Sequence, residues 1–287
     1  MKYAFIERER VHYPVKLQCR VLEISEQGFY GWRKCRKDLK AKRRSKLVAE
    51  IHRIFVTHKK RYGSPRVYQE LKKRGVHCSE NRVARLMREE GLRAKGKRKY
   101  RVTTDSWRSA LKRVAPNLLM RQFKVMGPNQ VWCGDITYVW TDEGYMYLSV
   151  FLDLYSRKIV GWSLDDRLHT PVVTRSLNQA LMIRQPGKGL LIHTDRGSQY
   201  TSDAFLELAE SSKLTLSMSR KGNCWDNAVA ESFFGNLKRE LIEGEKIRSR
   251  WELERLITDY IDGYYNTVRM HSSLDYRSPV EYEKRAA

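Results

Sequence analysis

From residue 126 onward, apolar segments follow one another in an order that few folds accommodate. Residues 131–140 alternate like a strand, Thr141-Asp142-Glu143-Gly144 reads as a turn, and 146–155 are nearly all apolar, as in a buried strand. Residues 158–164 form a third strand. A helix over 170–184 follows, with Val173, Leu177 and Leu181 spaced by four. Strands at 189–193 and 214–219 then alternate with helices at 202–212, about 227–242 and about 251–264. The order β-β-β-α-β-α-β-α-α predicts hairpin-joined strands followed by crossover units. That is an α/β domain built on a mixed five-stranded sheet with helices on its faces.

The half before it has a different character. The 287-residue chain carries a formal net charge of +23, and residues 1–125 hold 36 Lys and Arg against 11 Asp and Glu. Residues 126–287 hold 20 against 22, so the whole excess lies in the first half. A domain this basic attracts a polyanion, and nucleic acid is the usual one. A basic membrane-surface module would need a strongly amphipathic Trp/Leu-faced helix, and none stands out. No apolar run approaches the roughly 20 residues of a membrane helix, and Met1–Arg10 lacks the apolar region of a signal peptide. The five cysteines (19, 35, 78, 133 and 224) form no Cys-x-x-Cys pair, which predicts reduced thiols in a cytoplasmic protein. His52 and His58 precede Cys78 without a second nearby cysteine, so no structural zinc is expected.

Residues 1–40 predict short helices, with Glu26-Gln27-Gly28-Phe29-Tyr30-Gly31-Trp32 as a small packed turn. Residues 41–92 predict three helices. The first carries Leu47, Ile51, Ile54 and Phe55 at helical spacing and breaks at Arg61-Tyr62-Gly63. Ser64 then caps a second helix that opens on Pro65, buries Val67 and Leu71, and ends at Gly75. Ser79 caps the third, with Val83, Leu86 and Met87 inward and Asn81, Arg82, Arg85 and Arg88 outward. A generic three-helix bundle has the same pattern. The charge favours a helix-turn-helix DNA-binding domain, with Arg82, Arg85 and Arg88 towards DNA. Residues 93–125 read as a flexible basic linker in which Lys97, Arg98 and Lys99 follow the phosphate backbone.

Three acids sit where a metal site could form. Asp135 lies in mid-strand, where a charge costs several kcal/mol unless something pairs with it. Asp195 closes the fourth strand beside a glycine turn, the end of the sheet where α/β folds place chemistry. Glu231 lies one turn into a helix that Asp226 is expected to cap. Singly, each has a bland alternative: a bulge-end acid, a turn residue, a solvated helix residue. Together they stand on strand, strand and helix. Carboxylates brought that close repel one another without a cation, and oxygen-only ligands favour Mg²⁺ or Mn²⁺. Two such ions suit phosphoryl displacement.

At these residues the chain resembles the retroviral-integrase superfamily of transposases; 35 residues separate Asp195 from Glu231, as in that family. More closely than the wider superfamily, it resembles the second-frame (OrfB) protein of bacterial transposons of the insertion sequence three family. The matching stretches are Trp132-Cys133-Gly134-Asp135-Ile136-Thr137-Tyr138, His193-Thr194-Asp195-Arg196-Gly197-Ser198-Gln199-Tyr200, and Asp226-Asn227-Ala228 through Glu231-Ser232-Phe233-Phe234. Tyr265 to Leu274 with Ser278-Pro279, and Tyr62-Gly63-Ser64-Pro65-Arg66 upstream, extend the likeness over nearly the whole chain.

The resemblance implies an RNase-H-like (retroviral integrase) catalytic domain over 126–287, preceded by the all-α helix-turn-helix domain. It implies Asp135, Asp195 and Glu231 as catalytic metal ligands for Mg²⁺ (or Mn²⁺), with two ions expected. The reaction would be cleavage at transposon ends followed by strand transfer. The partner would be double-stranded DNA, both terminal repeats and target, bound by a homo-oligomer in the bacterial cytoplasm at the nucleoid. Lys238 stands two helical turns after Glu231 on its face, where the family has a basic residue; it suits either a phosphate contact near the scissile bond or a surface lysine. Residues 1–40 lack a sustained heptad, which predicts a second-frame product acting with a first-frame (OrfA) partner or fusion. A DNA-binding regulator and a hydrolysis-only nuclease on the same fold are the alternatives. Gly235 implies close approach of either DNA or the sheet. The polar group Tyr265, Asn266, Arg269 and His271 suits either DNA contact or packing, and Trp225 suits either base stacking or the core.

Overall fold

The computed structural model describes residues 1–95, 114–220 and 224–285, in two compact units, Met1–Ala94 and Lys95–Ala287. The first unit is all helical: α1 (Lys2–Glu9), α2 (Val15–Val21), α3 (Glu26–Thr57), α4 (Ser64–Lys73) and α5 (Glu80–Glu89). The expected turn at 26–32 is instead the start of α3, which runs unbroken through residue 40. Ser25 caps it by accepting from the Gly28 amide at 3.0 Å. Gly28 is there for closeness rather than for a turn: a Cβ would stand 2.5 Å from the Tyr3 hydroxyl. Phe29, on the same turn, is buried with Ile6 and Cys19.

The far end of α3 buries Leu47, Ile51, Ile54 and Phe55, as its spacing predicts. α4 buries Val67 and Leu71, and α5 buries Val83, Leu86 and Met87. Gly63, not Ser64, is the N-cap of α4, with Pro65 in the first turn. Gly75 follows the α4 C-cap at φ +74°, a left-handed value that glycine adopts without strain. Ser79 caps α5, accepting from the Arg82 amide at 3.3 Å. Asn81, Arg82, Arg85 and Arg88 are all exposed.

The second unit is built on one sheet of order β3-β2-β1-β4-β5. β1 (Val131–Thr141) and β2 (Gly144–Asp153) are antiparallel, as are β2 and β3 (Ile159–Asp165). β4 (Leu191–Thr194) runs parallel to β1, and β5 (Thr215–Met218) parallel to β4, so the sheet is mixed as expected. α6 (Thr170–Arg184) and α7 (Asp203–Ser211) make the crossovers. α6 packs hard on β3 because residue 161 is glycine; a Cβ there would overlap the Ser176 carbonyl oxygen.

Trp132 and Phe151 pack with Val173, Leu177 and Phe205 on one face of the sheet. Leu148, Val150 and Leu152 pack on the other with Phe233 and Leu237 of α8 (Ala228–Leu237) and Ile257 and Tyr260 of α9 (Arg250–Tyr260). Each fully buried side chain of this size contributes about 1.5–3 kcal/mol. A short α10 (Pro279–Glu283) with a complete capping box at Ser278 and Glu281 closes the unit.

Four details sharpen the sequence expectations. The helices expected over 227–242 and 251–264 each end in a π turn, Lys238–Ile242 and Ile261–Tyr265. The first π turn contains Glu240, whose buried carboxylate accepts from Arg269 at 2.7 Å and from the Tyr260 hydroxyl at 3.0 Å. Tyr265, Asn266, Arg269 and His271 are buried, which is what packing requires. Asn266 takes the place of a strand neighbour for Ile159, accepting from its amide at 2.9 Å and donating to its carbonyl at 3.0 Å.

Lys97, Arg98 and Lys99 lie outside the described residues, but the end of the expected flexible linker is fixed. The Leu118 amide donates to Ser217 Oγ at 2.9 Å, and the Met218 amide to the Pro116 carbonyl at 3.3 Å. Finally, a Cβ at Gly235 would meet nothing within 4 Å, so that glycine does not serve close approach of the sheet.

Candidate active site

β1 and β4 bring two of the acids to one level. Their register pairs Cys133 with His193, and the same register carried two residues further sets Asp135 beside Asp195. Both carboxylates are tied to their own backbone. Asp135 accepts from the Ile136 amide at 2.8 Å, and Asp195 from the Gly197 amide at 2.9 Å. Glu231 stands in the first turn of α8, where the helix dipole favours an acid.

The start of α8 is held by side chains to which sequence reasoning gave no such role. Asn227 donates to the Gly134 carbonyl at 3.2 Å, one residue before Asp135. Asp226 does not cap the helix; the N-cap is Asn227, without a side-chain cap bond. The buried Asp226 carboxylate instead gathers Arg121 at 2.8 Å, Asn117 at 2.9 Å and Arg220 at 3.1 Å. Those arginines hold its pKa well below the usual carboxylate range. His193 lies buried beneath, between Ser217 Oγ at 2.8 Å and Ser219 Oγ at 3.2 Å, and burial lowers its pKa so that it stays neutral. No local signal marks these partners, because they come from distant parts of the chain.

The electrostatics of the three acids are coupled. Burial pushes the Asp135 carboxyl up, and the charges of Asp195 and Glu231 push it further. Burial also raises Asp195 and Glu231. Yet Asp135 is only partly covered, and Asp195 and Glu231 are exposed at their surfaces. The acids therefore have protein massed behind them and an open side towards solvent.

Lys238 lies near the same cluster. Its ammonium sits 5.0 Å from the centroid of the Tyr138 ring, and the Asp135 charge raises a pKa that burial lowers more. Among the described residues, no three His, Cys, Asp or Glu side chains stand together as a ready metal cage. The fold thus brings Asp135, Asp195, Glu231 and Lys238 within electrostatic reach without closing the acids on one point. The donor set itself suits a hard divalent cation: oxygen only, mutually repelling and open on one side.

Arg82, Arg85 and Arg88 are placed on the exposed side of α5 in the other unit, where Arg85 stands 3.7 Å from Glu89. Among the described residues, no helix is long and apolar enough to cross a membrane.

Comparison with known proteins agrees with this layout. Residues 126–224 and 212–279 match two models of the integrase core domain, and residues 42–100 match the HTH-like domain. Transposase InsF for insertion sequence IS3A of Escherichia coli (strain K12) is 39% identical over 287 residues, covering 99% of each chain. The transposase for insertion sequence element IS904 of Lactococcus lactis is 45% identical over 239 residues, 83% of this chain and 93% of the relative. The simian T-cell lymphotropic virus intasome, solved in complex with PP2A regulatory subunit B56 gamma, aligns at 14% identity over 82% of this chain and 74% of that one, with a TM-score of 0.47. The chain belongs to the transposase family of insertion sequence IS3, and within it an HTH-like match precedes an integrase core.

Proposed function

We propose that Asp135, Asp195 and Glu231 are the catalytic metal ligands of this transposase. What carries it is the arrangement of strands and helix: the β1–β4 register runs towards Asp135 and Asp195, and Asn227 ties the helix that bears Glu231 to β1, all on an open side of the fold. Three mutually repelling carboxylates with oxygen-only donors suit a hard divalent cation. For this chain we assign Mg²⁺ or Mn²⁺, two ions, held by the three carboxylates. When bound, such ions activate an attacking oxygen and stabilise the leaving one.

The protein's own groups do the rest. The backbone bonds from Ile136 and Gly197 fix the Asp135 and Asp195 carboxylates in place. The Asn227 bond to β1 fixes the helix that carries Glu231. Lys238 supplies a cation for the phosphate beside the scissile bond. Water attacks the phosphorus at a transposon end, a phosphorus–oxygen bond breaks, and a free 3′-hydroxyl remains. That hydroxyl then attacks a second phosphodiester, so one bond forms for each that breaks.

DNA binding follows from the HTH-like domain. We assign its reading surface to residues 41–92 through Arg82, Arg85 and Arg88, phosphate contacts to the basic linker at Lys97, Arg98 and Lys99, and chemistry to 126–287. Joining two ends calls for a homo-oligomer on DNA, in the bacterial cytoplasm, with a first-frame product as partner or fusion.

A strand-transfer assay tests the reading. It uses labelled DNA carrying the element's own end, Mg²⁺, and wild type beside Asp135→Asn and Glu231→Gln. Joined product from wild type, with both variants binding DNA but cutting at background, is the expected outcome. Full cleavage by either variant overturns the three-acid assignment. Cut but unjoined DNA from wild type points to a nuclease or a missing first-frame partner, and binding with no cutting points to a regulator or to a second-frame product that needs its fusion to act.

A further inference from the structure

The β1–β2 hairpin runs on past the rest of the sheet. β4 pairs with β1 as far as Cys133, whereas β2 pairs with it out to Thr141. In the projecting part, Tyr138 lies opposite Tyr147 and Trp140 opposite Tyr145. Directly opposed residues share a face, and alternate residues of a strand do too, so four aromatic side chains occupy one face of the hairpin. Trp140 is 58% and Tyr145 49% exposed, while Tyr138 and Tyr147 are partly covered. The Trp140 and Tyr145 rings meet edge to face at 4.7 Å, and Tyr138 and Tyr145 at 5.5 Å. Alternation turns Asp135, opposite Val150, to the hairpin's other face; at the inner end it is Lys238 that links the two, its ammonium 5.0 Å from the Tyr138 ring centroid and within the influence of the Asp135 charge.

Cross-strand ring pairs strengthen a hairpin modestly. That accounts for pairing, but not for leaving an indole and a phenol ring this open to water. Flat rings spaced along a strand, with a cation at the end nearest the acids, are what a separated nucleic-acid strand needs. The cation meets a phosphate, and each ring offers a π-face to a base.

We propose that Tyr138, Trp140, Tyr145 and Tyr147 form a stacking platform for unpaired bases of the DNA strand whose phosphate lies at Asp135, Asp195 and Glu231. This rests on the assignment of those acids as the cutting site. Stacking does not distinguish one base from another, so the platform selects for strand separation rather than for sequence. It favours ends that are frayed or pulled apart beside the scissile bond.

The test uses the full chain carrying Asp135→Asn, so that binding is read without cutting. The probes are DNA ends with 2-aminopurine beside the scissile position, either mispaired over the last base pairs or fully paired. We expect the mispaired probe to be quenched on binding and to bind more tightly than the paired one. Adding Trp140→Ala and Tyr145→Ala is expected to relieve the quenching and weaken mispaired binding by about fivefold to a hundredfold. Paired binding stays within about twofold, which also reports that the variant is folded, and Trp140→Phe keeps most of the quenching.

Unchanged quenching in the double variant overturns the proposal, as does an equal loss on both probes. A shift in sedimentation from dimer to monomer with quenching intact overturns it in favour of a contact between copies of the chain. Cutting by Asp135→Asn alone sinks the acid assignment and leaves the quenching result to stand by itself.

Discussion

Arg269 and Glu240 face each other at 2.7 Å with 1% of either side chain exposed. A buried pair of this kind adds little net stability, but removing one partner strands the other charge, at a cost of about 3–5 kcal/mol. Arg269→Met is therefore expected to lower the urea midpoint sharply, and adding Glu240→Gln to recover much of the loss. Equal midpoints for the two variants would show that the pair is not coupled. Asp135 gives a prediction of opposite sign. An acid whose folded pKa lies above its unfolded value favours the fold below the unfolded pKa and loses that advantage as pH rises through the folded one. In chelator, the wild-type melting temperature should fall as pH climbs above the ordinary carboxylate range, and Asp135→Asn should flatten the fall. A wild-type curve flat in pH would refute the burial of that charge. At this scale the positions of the acids in a strand interior, at a strand end and in a helix turn were legible from local pattern, while their proposed role came from the resemblance. The Asp226 cluster was not, since Arg121 and Asn117 lie 105 and 109 residues away and nothing local distinguishes Asp226 from a capping acid.

Among the described residues, α8 is tied to β1 by a side-chain bond from Asn227 to Gly134, beside the apolar packing of Ala230 with Val131 and Cys133. Asn227→Ala removes a bond of about 1 kcal/mol, so the fold should survive with a small drop in melting temperature. Cutting should fall well beyond that, because Glu231 swings with the helix, while DNA binding stays near wild type. Cutting that dropped only in step with stability would argue against a positioning role. The strands and crossover helices were legible from apolar spacing, which is the same on paper and in the fold. The π turns were not. A wider turn at a helix end keeps apolar residues inward, and its cause, the Glu240 contacts with Tyr260 and Arg269, is tertiary. The mistaken turn at 26–32 has a similar origin. Gly28 signals a break only until the Tyr3 hydroxyl that needs its space is in view.

At the scale of the molecule, charge and chemistry are divided. The excess of Lys and Arg lies in residues 1–125, and the three acids lie beyond them. Phosphate contacts release counterions, each adding about 0.9 to the salt slope on duplex DNA. Replacing Arg82, Arg85 and Arg88 with alanine should weaken binding at low salt and flatten log K against log salt by up to about three units. An unchanged slope would place the DNA surface elsewhere. The division was legible from charge, but its position was not. The hydrogen bonds of Pro116, Asn117, Leu118 and Arg121 to Met218, Asp226 and Ser217 make that stretch part of the catalytic unit. Anyone grafting a foreign DNA reader onto this integrase core must therefore splice upstream of residue 114. A join at residue 126, where the composition changes, would leave Asp226 to Arg220 alone and carry away a border the core cannot replace.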